Sequence, residues 1–192
     1  IERLRQFEPI QYIFGHTLWN GLDLLVTPDT LIPRPETAEL VEQIVRSFQT
    51  VKDTKEPLRV LDIGTGTGCI AIALKHAFPH WEITAVDVSE NALEIARQNA
   101  NKNNAQVNFV KCDILSDEIS RLGTFDIIVS NPPYICENEK TEMRANVLDY
   151  EPSTALFVPD DNPLLFYRRI ASMALCKHLF FEINEHYAAE MH

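Results

Sequence analysis

The sequence lacks any run near the roughly 18 apolar residues that a bilayer-spanning helix needs. It also lacks a basic-then-apolar opening stretch that would read as a secretory signal. We therefore expect no membrane association and a cytoplasmic location. Cysteines are few and scattered: Cys69, Cys112, Cys136 and Cys176 make no CxxC pair and no zinc-ribbon spacing. Reduced, mostly buried thiols are expected, and with no HExxH pattern among the histidines we expect no metal site. Basic residues are outnumbered, 17 Lys and Arg against 28 Asp and Glu, for a net charge of −11 and a pI near 4.9. A free nucleic-acid binder carries a basic face. The acidic balance disfavours a grip on phosphate backbones and leaves proteins and small molecules as partners. Internal repeats and low-complexity tracts are absent.

What is present suits one globular domain with a small appendage: 192 residues, 45% hydrophobic and 23% charged. Residues 1–15 are short and mixed, broken at Pro9 and Gly15. The stretch "HTLWNGLDLLVTP" reads as a hairpin, because Asn20-Gly21 supplies the two positive-φ positions of a tight turn. "LIPRPE" follows as a rigid irregular loop. Pro35 opens a helix whose Leu40, Val41, Ile44, Val45 and Phe48 share one face. "QTVKDTKEP" is a polar linker. From Leu58 onward, strands ("LRVLDI", "EITAVDV", "VNFVKCD", "FDIIVS", "HLFFEIN") alternate with helices over 67–78, from a Ser89 cap to about Asn101, at 116–122 and over 163–175. Residues 135–161 look irregular. Only Cys176 and Lys177 separate the last helix from the last strand, which predicts an early helix end or a missing turn. Alternating apolar strands and helices predict an α/β fold: a Rossmann-like, doubly wound, mainly parallel sheet flanked by helices, with an N-terminal β-hairpin. Ligands of such sheets bind beyond the carboxyl ends of the strands, where every candidate below falls.

Four motifs carry chemistry. In "LDIGTGTGCIAIAL", Gly64, Gly66 and Gly68 alternate between a strand and a helix, with Thr65 and Thr67 between them. A plain turn needs one glycine; three at alternate positions suit a backbone that must approach a ligand. The order G-x-G-x-G differs from the dinucleotide fingerprint. It looks like the first motif of class I S-adenosylmethionine (AdoMet) methyltransferases, in which the acid matching Asp62 lies near the methionine end. Asp87 ends the second strand, where a carboxylate can accept from both hydroxyls of a ribose. Asp113 and Ile114 open the loop after the third strand. Finally, Asn131, Pro132, Pro133 and Tyr134 form "NPPY" at the tip of the fourth strand. Such a motif suits a planar NH₂, whose lone pair is delocalised and hence a poor nucleophile. The Asn131 side-chain oxygen and the Pro132 carbonyl can each accept one N–H, and proline's fixed φ aims that carbonyl in advance. Tyr134 offers a flat wall.

Together these motifs, with "IQYIFGHTLWNGLDLLVTPDTLIPRPET" and "NVLDYEPSTALFVPDD", resemble the glutamine methyltransferases of peptide chain release factors (the HemK/PrmC family). The resemblance spans nearly the whole chain, and the hairpin followed by "IPRPET" is its most specific element. It implies methyl transfer from AdoMet, leaving S-adenosylhomocysteine, to the glutamine side-chain amide in a Gly-Gly-Gln loop. No metal is implied, and the partner would be a release factor, with no direct nucleic-acid contact. Carried over by position, Gly64 to Gly68, Asp87, Asp113, Ile114 and Asn131 would meet AdoMet. Asn131, Pro132 and Tyr134 would be catalytic. Those three with Pro133, Arg34 and Glu36 would hold the substrate, although a salt-bridged structural loop explains Arg34 and Glu36 almost as well. We expect a monomer. Residues 1–35 would be a remnant of an N-terminal helical domain plus the hairpin and IPRPE loop, and 36–192 the methyltransferase domain, truncated at its end. Two rivals stay open: a nucleic-acid methyltransferase acting on adenine or guanine amino groups, and a non-catalytic AdoMet-binding module.

Overall fold

A computed structural model describes residues 1–49, 57–173, 176–184 and 186–187. The expected linker "QTVKDTKEP" lies largely outside the described residues. Two short helices, α1 (Glu2–Arg5) and α2 (Ile10–Phe14), lead into the hairpin of β1 (His16–Trp19) and β2 (Leu22–Leu25). Its turn is the expected one: Asn20 at φ 46° and Gly21 at φ 78° set the twist that matches the paired strands. Helix α3 (Pro35–Ser47) starts with proline at its first position and buries Leu40, Val41 and Ile44.

The centre is a five-stranded sheet in the order β5-β4-β3-β6-β9. The strands are β3 (Arg59–Ile63), β4 (Glu82–Asp87), β5 (Asn108–Lys111), β6 (Ile127–Ser130) and β9 (His178–Phe181), and all pairs are parallel. Helices α4 (Cys69–Ala77) and α5 (Glu90–Lys102) join the first of them. This is the doubly wound arrangement that the alternating sequence predicts, with the reversal of strand order beside β3. Side chains alternate between two cores. Val60, Ile83, Ile127 and Val129 pack with α3, α4 and the hairpin's Trp19, Leu22 and Leu24. Leu61, Ile63, Val86 and Ile128 pack on the opposite face with Ile119, Phe125 and Ile170.

Two expectations are adjusted. Residues 135–161 are less irregular than their prolines suggest. β7 (Ile135–Cys136) pairs in parallel with β8 (Phe157–Val158), and between them lie 3₁₀ segments at Glu137–Glu142 and Ser153–Ala155 with α6 (Ala145–Leu148). The last helix, α7 (Leu165–Ser172), ends before residue 175. The connection to β9 thus runs over residues 173–177, an ordinary αβ length, of which 174 and 175 lie outside the described residues. No described helix is long and apolar enough to cross a membrane.

One buried amide ties the hairpin to α5 and the glycine loop. Asn99, on α5, is fully buried. Its oxygen accepts from the Leu25 N–H at 2.6 Å, and its nitrogen donates to the carbonyls of Leu25 at 3.0 Å and Thr67 at 2.9 Å. Leaving buried backbone groups unpaired costs about 1–3 kcal/mol each. We therefore expect Asn99→Ala to lose at least about 3 kcal/mol of unfolding free energy in urea. A loss below about 1 kcal/mol would contradict this role.

Candidate active site

Every candidate converges on the carboxyl edge of the sheet. Ile63 lies opposite Val86 and Ser130, and Ser130 opposite Phe181. One residue further along each strand stand Asp87, Gly64, Asn131 and Glu182. Ladder-like bonds hold that row: the Gly64 N–H donates to the Val86 carbonyl at 2.9 Å, and the Glu182 N–H to the Ser130 carbonyl at 3.1 Å.

Along this edge lies a cavity of about 380 Å³, within the usual range for small-molecule sites. Gly64 and Gly66 line it. Both have positive φ, and a Cβ on either would meet no atom of the chain within 4 Å. The bare backbone faces the space itself. Asp87 is held from both sides: one oxygen accepts from the Gly66 N–H at 2.9 Å, the other from the Ser89 N–H at 2.9 Å. These bonds do not use up the carboxylate's acceptor capacity. Burial pushes the Asp87 carboxyl above its ordinary value, and the backbone donors of Ser89, Gly66 and Val88 partly offset this. Asp113 and Ile114 also line the cavity, although one Asp113 oxygen is engaged by the Leu115 N–H at 2.9 Å. Asp29, Asp87 and Asp113 are charged lining residues, and no Lys, Arg or His is among the described lining.

Of residues 64–68, Gly64 and Gly66 line this cavity. Thr65, Thr67 and Gly68 are absent from the cavity lining and are buried. Thr65 donates to Asp62 at 2.6 Å. A Cβ at Gly68 would come within 3.2 Å of the Ala96 Cβ, so this glycine serves the approach of α4 to α5. Asp62 likewise is fully buried and bonds the loop, not the cavity. Burial raises its pKa to about 7, with Thr65 and the Ala71 amide pulling the other way.

The NPPY residues divide between two spaces. Asn131, Pro132 and Pro133 line the large cavity. Tyr134 lines a second one of about 140 Å³, with Arg34, Ile135, Met143 and Val147. Asn131, Leu31 and Ala155 border both. The Asn131 side-chain nitrogen donates to the Thr37 hydroxyl at 3.2 Å. Thr37 donates to one Glu182 oxygen at 2.6 Å, and Tyr134 donates to the other at 3.3 Å. Burial first, then the neighbouring Glu182, pushes the Tyr134 phenol up to about 12, so it stays a neutral donor.

The Arg34–Glu36 pair is not a salt bridge in the structure. Arg34 instead donates to Glu151 at 2.7 Å, and the Ile32 N–H donates to the other Glu151 oxygen at 3.3 Å. Glu151 is buried, so it clamps the IPRPE loop to the 149–158 segment. Glu36 is exposed and lines neither cavity. Sequence reasoning missed Thr37, Glu151 and Glu182. Thr37 and Glu151 sat inside the quoted stretches "IPRPET" and "NVLDYEP", but Glu182 in "FFEIN" carried no signal.

The sheet order and its glycine cradle define a Rossmann-like methyltransferase. The methyltransferase small domain family matches residues 42–149. Among solved structures, the hMettl16 catalytic domain in complex with MAT2A 3'UTR hairpin 1 superposes with TM-score 0.65 at 17% identity, over 95% of this chain and 77% of that one. The human methyltransferase 10 domain containing protein gives 0.60 at 18%, over 89% and 75%. At such identities the likeness speaks for the fold alone. A release factor glutamine methyltransferase from Bacteroides thetaiotaomicron is 52% identical over 100% of this chain and 68% of its own length. One from Flavobacterium psychrophilum is 47% identical over 98% and 67%. The chain belongs to the release factor glutamine methyltransferase family.

A pH test follows from Asp62. Its folded-state pKa, about 7, stands above the ordinary 3.8. Its contribution to stability is therefore fully present below about pH 4 and is lost as pH rises through about 7. Asp62→Asn stays neutral throughout. In urea unfolding the wild type should lose stability relative to Asp62→Asn between about pH 4 and 7. Curves that remain parallel would contradict the assignment.

Proposed function

We propose that this chain transfers a methyl group from AdoMet to the side-chain amide nitrogen of the glutamine in a Gly-Gly-Gln loop of a peptide chain release factor. The observation that carries the reading is Asn131, which borders both the larger acidic cavity and the smaller one behind Tyr134. Family membership supports the release factor as substrate.

The residues fit AdoMet. Bare backbone at Gly64 and Gly66 leaves room against the chain. Asp87, its carboxylate fixed by two backbone donors, would accept from the ribose hydroxyls with its remaining lone pairs. Asp113 and Ile114 would border the adenine. A cavity with carboxylates and no basic side chain in its described lining suits a cationic ligand far better than a pyrophosphate. AdoMet, when bound, supplies an activated methyl group. The chain's own part is positioning. The Asn131 oxygen and the Pro132 carbonyl would each accept one hydrogen of the substrate NH₂, holding the nitrogen where its lone pair can react. Tyr134 would pack on the planar amide, and Arg34, locked by Glu151, would form the pocket rim. Glu36 is not part of this reading. Residues 1–35 act as a cap on the 36–192 unit: Trp19, Leu22 and Leu24 join its core, and Asp29, Thr30 and Leu31 border the cavity.

With methyl-labelled AdoMet, label should enter release factor and not DNA or RNA. Label in nucleic acid alone would overturn the reading in favour of a base methyltransferase. AdoMet binding with no transfer to any of the three would favour a binding module. Two variants separate the roles. Asn131→Ala should lower kcat by about 100-fold or more, with AdoMet affinity within about threefold of wild type; near-normal turnover would refute the role of that side chain. Asp87→Ala should weaken AdoMet binding by at least about tenfold in calorimetry, and an unchanged affinity would remove Asp87 from the cofactor site.

A further inference from the structure

We propose that Glu182 and Thr37 are positioning residues that fix which end of the Asn131 amide faces the substrate. The inference rests on the methyl-transfer reading above and adds two residues to it. A primary amide can turn either its oxygen or its nitrogen toward a ligand, and only the oxygen can accept from a substrate NH₂. Something in the fold must choose.

The hydrogen bonds make the choice. Burial raises the Glu182 pKa, while donation from Thr37, Tyr134 and Asn131 favours its ionised form; once ionised the carboxylate only accepts, and a threonine hydroxyl has one proton to give. Thr37 gives that proton to Glu182 at 2.6 Å. Toward Asn131, the Thr37 oxygen can then only accept. It does so from the Asn131 nitrogen at 3.2 Å. The reversed amide would set its carbonyl oxygen against a hydroxyl oxygen with no proton left to share. The NH₂ end is therefore committed to Thr37, and the carbonyl end is left for the substrate.

The relay is well anchored. Thr37 is 3% exposed, in the first turn of α3. Glu182 is fixed at both backbone groups: its N–H donates to the Ser130 carbonyl at 3.1 Å, and its carbonyl accepts from the Tyr167 hydroxyl at 3.0 Å. Its second carboxylate oxygen takes the Tyr134 hydroxyl at 3.3 Å. One carboxylate thus orients both the amide and the aromatic wall of NPPY.

The test uses Thr37→Val, which keeps the shape and removes the hydroxyl, Thr37→Ser, which keeps the hydroxyl, and Glu182→Gln, which can donate as well as accept. For Thr37→Val and Glu182→Gln we expect kcat to fall by at least about tenfold, with AdoMet affinity and the release-factor KM within about threefold. Thr37→Ser should recover most of the loss. The second readout needs no substrate: the Asn131 side-chain NH₂ resonances in a ¹H–¹⁵N spectrum, assigned by their absence from Asn131→Asp. In Thr37→Val they should shift and exchange faster with water. Full kcat in a folded Thr37→Val, or unmoved Asn131 resonances, would overturn the proposal. Should Thr37→Val fail to fold, Glu182→Gln is judged by the same two readouts. If wild type transfers no methyl to release factor, the proposed function fails, and the spectra alone decide the positioning claim.

Discussion

The parallel register of β4, β3, β6 and β9 is the constraint on which the site depends. Pairing Val86, Ile63, Ser130 and Phe181 across the sheet makes Asp87, Gly64, Asn131 and Glu182 the next row, at its carboxyl edge. A slip of one residue in any strand would turn its buried side chains to the wrong face. Hydrophobic burial on both faces thus holds this row in place. Most paired positions nearest the row are apolar (Ile63, Val86, Val129, Phe180 and Phe181), and the row itself brings Asp87, Asn131 and Glu182 together at the edge.

Loops carry the rest, and buried polar groups tie them down. Asn99 joins the hairpin to the end of the glycine loop, Glu151 joins the IPRPE loop to the segment before β8, and Glu182 joins α3 to NPPY. In each case a side chain inaccessible or half-accessible to water accepts or donates to groups distant in sequence. A satisfied buried polar group adds little net stability, but removing one partner strands the others. Such groups therefore select one loop arrangement over its neighbours. Asp62 works similarly within the glycine loop, where its bond to Thr65 draws the threonine inward and leaves Gly64 and Gly66 facing the cavity.

Much of this was legible in the sequence. The Asn-Gly turn, the alternation of strands and helices, the glycine loop and NPPY are local patterns, and each lies where the pattern puts it. What was not legible depends on contacts across long separations. Arg34 reads naturally as paired with Glu36 two residues away, yet its partner Glu151 is 117 positions distant. Thr37 and Glu182 are separated by 145 positions, and nothing in either local stretch announces the other. The inward turn of Thr65, Thr67 and Gly68 was missed for a different reason. Thr65 and Thr67 alternate with Gly64 and Gly66 and face the other way, while Gly68 is set by the close approach of α4 to α5, so part of the motif serves packing.

The central claim is that Asn131 and the row beside it direct a methyl group onto one planar nitrogen. Its most direct test is peptide mapping by mass spectrometry of release factor after incubation with the chain and AdoMet. A single added methyl on the side chain of the glutamine in the Gly-Gly-Gln loop is the predicted result. A methyl on any other residue, or none on the protein while a nucleic acid becomes methylated, would contradict it.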